Sequence, residues 1–236
     1  MRQRRVTGIE ERIAPYADLI LQGDYSSSEV FFNHPAGAGT KNTFYYPRWY
    51  QRPSPEYVLP EGFSRTYVEL GCGRGRFINA LAAADPEGLY IGAEGCRTIV
   101  IRALEKTRAG GLSNVRYIDS FINDITTAFA EESLDGLFLN FSDPWPKERH
   151  AERRLTSPSK ASNYFQTIKS GGVVVFKTDG EAFYDYSRAA FLSAGFIITE
   201  QDAKGIAARA AETPTEYEIK FRSEGKPVYS FTAAKA

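Results

Sequence analysis

Val68-Glu69-Leu70-Gly71-Cys72-Gly73-Arg74-Gly75-Arg76-Phe77 decides the fold, because an apolar strand runs directly into a glycine-rich turn that opens a helix. Glycines at such a turn permit tight backbone angles and let a ligand approach the start of the helix closely. Dinucleotide-binding enzymes use a related loop, so the surroundings have to discriminate. The spacing here is G-x-G-x-G, and Glu69 stands two residues before the first glycine. A second carboxylate, Glu94, closes the next apolar run, Tyr90-Ile91-Gly92-Ala93-Glu94, where it can accept two hydrogen bonds from a ribose diol. A pyrophosphate at the helix start would be repelled by Glu69, whereas a nucleoside cofactor without phosphates tolerates it.

Outward from this loop the chain alternates short apolar runs with helical stretches, the pattern of βαβ units and a parallel sheet. Strands are expected over 66–70, 89–94, 115–118, 136–140 and 172–177. The rhythm changes towards the C-terminus. There 196–199, 216–222 and 228–231 read as strands, with Glu224-Gly225-Lys226 as a turn, so an antiparallel edge is expected on a mostly parallel sheet. Before the sheet, Ile9, Ile13, Ala17, Leu19 and Ile20 fit one face of a helix over 9–22 that Gly23 stops. Residues 25–60 carry five prolines and many aromatics, the composition of an irregular covering segment or a lid. The expected organisation is therefore an N-terminal helix and covering segment over 1–62, followed by an α/β domain over 63–236.

The 236 residues carry 29 basic and 29 acidic side chains, so no global cationic field drives nucleic-acid binding, and a polyanion would have to meet a local patch. Hydrophobic residues at 42% and charged residues at 25% describe a globular chain rather than a disordered one. No apolar run approaches the roughly 18 residues that span a bilayer, and the N-terminus lacks the apolar core of a signal peptide. A cytoplasmic location is expected. Two cysteines, Cys72 and Cys96, with two histidines do not make a four-ligand zinc cluster, so no structural metal or disulfide is expected.

The loop, Glu69 and Glu94 together resemble the S-adenosylmethionine-dependent methyltransferases of the Rossmann-like, seven-stranded class. A nicotinamide enzyme stays open for the loop taken alone. Leu139-Asn140-Phe141-Ser142-Asp143-Pro144-Trp145-Pro146 follows the fourth strand and lies at the carboxyl edge of the sheet, where ligands bind in open α/β folds. Pro144 and Pro146 stiffen the turn and fix a carboxylate beside an aromatic ring. That motif reads either as a rigid corner with a capping Asp143 or as a reaction centre. Trp145 reads either as a stacking surface or as a plug under the loop. The adjoining run Lys147-Glu148-Arg149-His150-Ala151-Glu152-Arg153-Arg154 is a local basic cluster in a neutral chain, suited to phosphate contacts. Thr178 or Asp179 is expected to cap a helix that begins near Glu181.

The string from Leu139 to His150, with Arg153-Arg154-Leu155-Thr156, resembles the signature of bacterial tRNA (guanine-N7-)-methyltransferases. Asn114-Val115-Arg116, Phe176-Lys177-Thr178-Asp179 and Thr215-Glu216-Tyr217-Glu218 extend the resemblance from about Thr66 to Tyr229. It implies methyl transfer from S-adenosylmethionine to N7 of a variable-loop guanine in tRNA, without a metal, by a monomer or homodimer that needs no other protein. It also implies that Asp143 is the catalytic residue and that Glu69, Gly71, Gly73, Gly75, Glu94, Asp119, Phe121 and Asp143 bind the cofactor. Lys147, Asp179, Thr215, Glu216, Tyr217 and Glu218 would contact substrate, and Arg149, His150, Arg153 and Arg154 would meet RNA. The chain departs from the family at Phe121, where an acidic or amide residue is usual, and in the length of 25–60. Competing readings are a methyltransferase for another substrate and an RNA-binding homologue without catalysis.

Overall fold

The computed structural model describes residues 8–24, 56–199 and 205–236. Among these residues nine strands form: β1 (Gly23–Asp24), β2 (Glu56–Tyr57), β3 (Arg65–Leu70), β4 (Gly88–Ala93), β5 (Val115–Ile118), β6 (Leu134–Asn140), β7 (Ile168–Thr178), β8 (Ile197–Thr199) and β9 (Tyr229–Ala234). Between them run α1 (Ile9–Ile13), α2 (Arg76–Ala84), α3 (Arg97–Ala109), α4 (Pro158–Thr167), α5 (Glu181–Ser193), α6 (Gly205–Glu212) and α7 (Glu216–Ser223). β1 and β2 pair as a separate antiparallel ribbon, and the other seven strands form one sheet in the order β5-β4-β3-β6-β7-β9-β8. The five strands from β5 to β7 are parallel, and β9 and β8 add an antiparallel edge. This is the seven-stranded, mostly parallel architecture that the sequence suggested.

A parallel sheet has helices on both faces, so its central strands must be apolar on both sides. All six residues of β4 are buried. Alternate side chains of β3 divide between two cores. Val68 and Leu70 pack with α4 and α5 through Tyr164, Phe183 and Phe191, while Tyr67 faces α2, α3 and α6 through Phe77, Ile78, Val100 and Ala207. By this alternation Glu69 falls on the α2 side. Connections leave β3 towards β4 on one side and β6 on the other, and the switch opens a crevice at the carboxyl ends of β3, β4 and β6. Asn114 closes the opposite end of the sheet, donating from its amide to the carbonyls of Ala82, Asp85 and Gly88 at 3.1, 3.0 and 2.9 Å.

Three expectations are corrected. The N-terminal helix over 9–22 is one short α-helix that tightens into a 3₁₀ turn at Ala14–Leu19, with Pro15 at its start. The chain then turns extended, and the Leu21 amide donates to the Tyr117 carbonyl at 2.8 Å, which covers the β5 edge. The 216–222 segment is helix α7, not a strand: the Thr215 hydroxyl accepts from the Glu218 amide at 3.0 Å and caps it. The residue flanking α5 at its start is Gly180, and no side chain caps that helix; Thr178 instead accepts from the Gly180 amide at 3.2 Å. The aromatic stretch 25–60 lies outside the described residues except for 56–60. Among the described residues no helix is long and apolar enough to cross a membrane.

Candidate active site

The loop after β3 is a turn held by backbone hydrogen bonds. Gly71 and Cys72 donate to the Ala93 carbonyl at 2.8 and 3.0 Å, and Gly75 donates to Cys72 at 2.9 Å. Its glycines have separate reasons. At Gly73 (φ +56) an added Cβ would meet nothing within 4 Å, so the backbone there is bare towards the crevice. At Gly75 (φ +71) the same atom would fall 2.7 Å from both the Ala103 Cβ and the Tyr117 hydroxyl, so this glycine lets α2 pack on α3. Cys72 and Cys96 are free and buried, and burial pushes the Cys72 thiol up, as suits a small space-filling residue.

Two carboxylates flank this loop in different surroundings. Glu94 accepts from the Gly73 amide at 3.1 Å and from the Cys96 amide at 2.8 Å. Burial raises its pKa, and those two N–H groups oppose the rise. Glu69 is 2% exposed, and burial pushes it up to about 8, against the hydrogen bond from Asn140 and the nearby charge of Lys177. That bond, from Asn140 Nδ2 to Glu69 Oε1, is 2.9 Å long. Glu69 Oε2, Asn140 Oδ1 and Ser142 Oγ are buried without hydrogen-bond partners. Buried polar atoms are rarely left unpaired, so three of them beside one crevice mark a place where a ligand donates hydrogen bonds.

The segment after β6 is strained where it turns. Phe141 and Trp145 have left-handed φ values of 50° and 39°, and they bracket exposed Asp143. The turn is braced from behind. Arg154, 8% exposed, donates to the Pro144 and Trp145 carbonyls at 2.9 and 3.1 Å, and its guanidinium lies 4.2 Å from the Tyr186 ring centre. Arg153 instead lies over the Trp145 ring at 5.3 Å, on the open side, and His150 meets that ring edge-on. Desolvation and the positive charges of Arg153, Arg149 and Lys147 lower the His150 pKa from its ordinary value.

A cleft of about 720 Å³ joins these parts. Of the residues singled out from the sequence, Glu69, Gly71, Gly73, Glu94, Phe121, Asp143, Trp145, Arg153, Thr215, Glu216 and Tyr217 line it. Phe121 does so from a ring laid against Gly95, where a Cβ would come within 2.2 Å of it. The others sit elsewhere. Gly75 is buried between helices, Asp119 pairs with Arg97 at 2.9 Å, and Lys147, Arg149 and Asp179 are exposed outside the lining. Arg154 faces inward as the brace, and Glu218, 1% exposed, is bonded to Lys177 and Arg222. Sequence reasoning gave no role to Asn140, Ser142 or Lys220, which also line the cleft, nor to Lys177 behind it. Asn140 and Ser142 had a signal, since they stand within the Asp-Pro-Trp-Pro string.

A sequence profile of the family described as "Putative methyltransferase" matches residues 64–231. The tRNA (guanine-N(7)-)-methyltransferase of Bacillus licheniformis is 34% identical over 174 residues, which cover 71% of this chain and 79% of that protein. The protein of the same name from Bacillus cytotoxicus is 37% identical over 174 residues, covering 71% of this chain and 77% of that one. Among solved structures, the 16S rRNA methyltransferase KamB gives a TM-score of 0.54 at 14% identity, covering 74% of this chain and 90% of its own. An antibiotic-related methyltransferase gives 0.50 at 21% identity, with 73% and 87% covered. These structural likenesses concern the fold.

Proposed function

The chain belongs to the tRNA (guanine-N7-)-methyltransferase family, and from that premise we propose that its cleft brings a variable-loop guanine of tRNA against Asp143. The protein is an S-adenosylmethionine-dependent methyltransferase that acts on guanine N7 in tRNA. The observation that carries the site assignment is the set of unpartnered buried atoms, Glu69 Oε2, Asn140 Oδ1 and Ser142 Oγ, at the carboxyl edge beside Asp143. Two acceptors and a hydroxyl fit a cofactor that presents an ammonium group and carries no phosphate. Glu94, fixed by two amides, keeps lone pairs for the ribose diol, and the open faces of Gly71 and Gly73 admit the cofactor backbone. Phe121 offers an aromatic face to the adenine in place of a polar contact.

When bound, S-adenosylmethionine supplies an electrophilic methyl group on a sulfonium. Guanine N7 carries a free lone pair, so no residue has to act as a base before transfer. The methylated ring is cationic. Asp143 stabilises that charge, or accepts from guanine N1–H and the exocyclic amine, and either role is electrostatic preorganisation. Glu69, Asn140 and Ser142 hold the cofactor in line, which is catalysis by proximity. Tyr217 and Trp145 offer rings on which an unstacked guanine rests, while Arg153, Lys147 and Arg149 meet phosphates. On this reading it works on tRNA in the cytoplasm, as a monomer or homodimer. On this reading the catalytic domain spans residues 63–236.

The test is methyl transfer from labelled S-adenosylmethionine to an unmodified tRNA transcript, with borohydride and aniline cleavage to locate 7-methylguanosine. Scission at the variable-loop guanine, lost with Asp143→Ala and with a transcript lacking that guanine, is the expected result. Label at another position would refute the substrate assignment and leave the fold intact.

A further inference from the structure

Helix α7 carries Tyr217 and Lys220 into the cleft wall, with Glu216 in its first turn and Thr215 as its cap. The sequence Thr215-x-x-Glu218 has the form of a capping box, in which the glutamate would turn back to the cap's own amide. It does not do so here. The Glu218 carboxylate points inward, where Oε2 accepts from Lys177 Nζ at 3.0 Å and Oε1 accepts from Arg222. Lys177 and Glu218 side chains are 3% and 2% exposed. Lys177 Nζ also donates to the Ala210 carbonyl at 2.7 Å and to the Thr213 carbonyl at 3.3 Å. One ammonium at the end of β7 therefore ties down the last turn of α6, the connecting residue Thr213, and the first turn of α7. It satisfies three acceptors, which is its full donor count.

We propose that Lys177 and Glu218 are positioning residues, whose buried pair fixes α7 against the end of β7 and thereby sets the wall from which Glu216, Tyr217 and Lys220 meet the tRNA. This rests on the reading of the cleft as the tRNA site. The physical reason is the chemistry of a buried ion pair. Removing Lys177 leaves the buried Glu218 carboxylate of α7 with Arg222 as its remaining partner, and removing Glu218 leaves the buried Lys177 ammonium of β7 with two carbonyls; either way a desolvated charge loses its counter-charge and α7 loses its tie to β7. Helix α7 then meets the sheet end through the rings of Tyr217 and Phe221 around Phe141, at centroid distances of 6.2 and 5.6 Å. Glu218 thus acts through the helix and not by touching the guanine.

The experiment uses the full chain and compares Lys177→Met, Glu218→Ala and Glu218→Gln with the wild type. It reads transfer to a tRNA transcript, calorimetric affinity for S-adenosylmethionine, and amide exchange over 205–223. Lys177→Met and Glu218→Ala are expected to raise KM for tRNA by about tenfold or more, the scale of a displaced substrate-positioning element. Their exchange over 216–223 speeds up while that of 137–140 in β6 does not, and cofactor affinity stays within about threefold. Glu218→Gln leaves an acceptor for the lysine and is expected to recover most of the tRNA affinity and the protection. The proposal is overturned if Glu218→Gln loses as much transfer as Glu218→Ala while exchange over 216–223 stays native, because the carboxylate then meets substrate directly. It also falls if Lys177→Met changes neither KM nor exchange. Should that variant not fold, Glu218→Gln decides by the same two readings. A wild-type chain that methylates no tRNA would sink the functional reading, and exchange over 216–223 would still decide the role of the pair.

Discussion

Asn140 Nδ2 stands 2.9 Å from Glu69 Oε1, a bond that joins the carboxyl ends of β6 and β3 across the switch in sheet order. It orients both side chains and leaves one acceptor of each, Glu69 Oε2 and Asn140 Oδ1, without a partner. The sheet thereby presents paired acceptors at the point where its topology opens a crevice.

The protonation of Glu69 follows from this burial. Its pKa rises from 4.5 to about 8, because burial penalises the charged form. The folded state therefore holds the proton more tightly than the unfolded chain. The stabilisation from this group is complete below about 4.5 and is lost as pH rises through about 8. A cationic cofactor favours the carboxylate, so binding near pH 7 releases a proton, and affinity improves with pH by up to about tenfold per unit until Glu69 is ionised. Calorimetry in buffers of differing ionisation enthalpy reads that proton. Glu69→Gln should bind more weakly and with no release, and an unchanged release would assign the proton to another group.

Asp143 lies exposed on the cleft wall, between two residues in left-handed conformations. That turn holds the carboxylate by backbone geometry, so Asp143→Asn should fold as the wild type does and lose its effect on the developing positive charge. A fall in kcat of about a hundredfold is expected, with a melting temperature within a degree or two. Single-turnover transfer at saturating tRNA measures it. A loss confined to KM would make Asp143 a binding group only.

The sheet was legible because its signals are local. Runs of apolar residues ending at Gly71, Glu94 and Asn140 place β3, β4 and β6, and the carboxyl-edge rule then gathers Glu69, Glu94 and Asp143 without any knowledge of contacts. The misreading of 216–222 has a physical origin. Glu216-Tyr217-Glu218-Ile219-Lys220-Phe221-Arg222 alternates polar and apolar residues, the period of a strand, yet Tyr217 and Phe221 also stand one helical turn apart, with ring centres 6.1 Å from each other. Thr215 three residues before Glu218 was the available helix signal. The alanine-rich stretch of α6, to which the sequence reading gave no element, carries the helix propensity that the structure realises. Lys177 and Glu218 are separated by 41 positions and meet only through the fold, so no local pattern announces the pair.

Arg153 and Arg154 are neighbours with opposite surroundings, and that difference predicts different losses. Arg154 is buried against Tyr186 and braces two loop carbonyls. Its replacement by alanine should cost about 2–3 kcal/mol, since hydrogen bonds from a charged donor are lost in the interior. Arg153→Ala should leave the melting temperature unchanged within a degree and reduce the salt dependence of tRNA binding by about one unit of slope. Differential scanning calorimetry and filter binding from low to moderate salt check both. Equal melting temperatures for the two variants would remove the brace.

Tyr217 is 61% exposed and stands in line with Phe141 at the cleft mouth, a ring held by packing on one side and open on the other. A flipped base that stacks there gains about 1–3 kcal/mol per ring face. Tyr217→Ala should then raise KM for tRNA by roughly 5- to 150-fold on that energy scale, with kcat and cofactor affinity little changed, because stacking is made before transfer. Tyr217→Phe keeps the ring and should stay within about threefold. A transcript with 2-aminopurine at the target position gives a direct reading, since its fluorescence falls when the base stacks. Quenching by the wild type and by Tyr217→Phe, with bright emission in the Tyr217→Ala complex, is the expected pattern. Equal quenching in all three would move the base to the Trp145 side of the cleft, where Arg153 already covers one face of the indole.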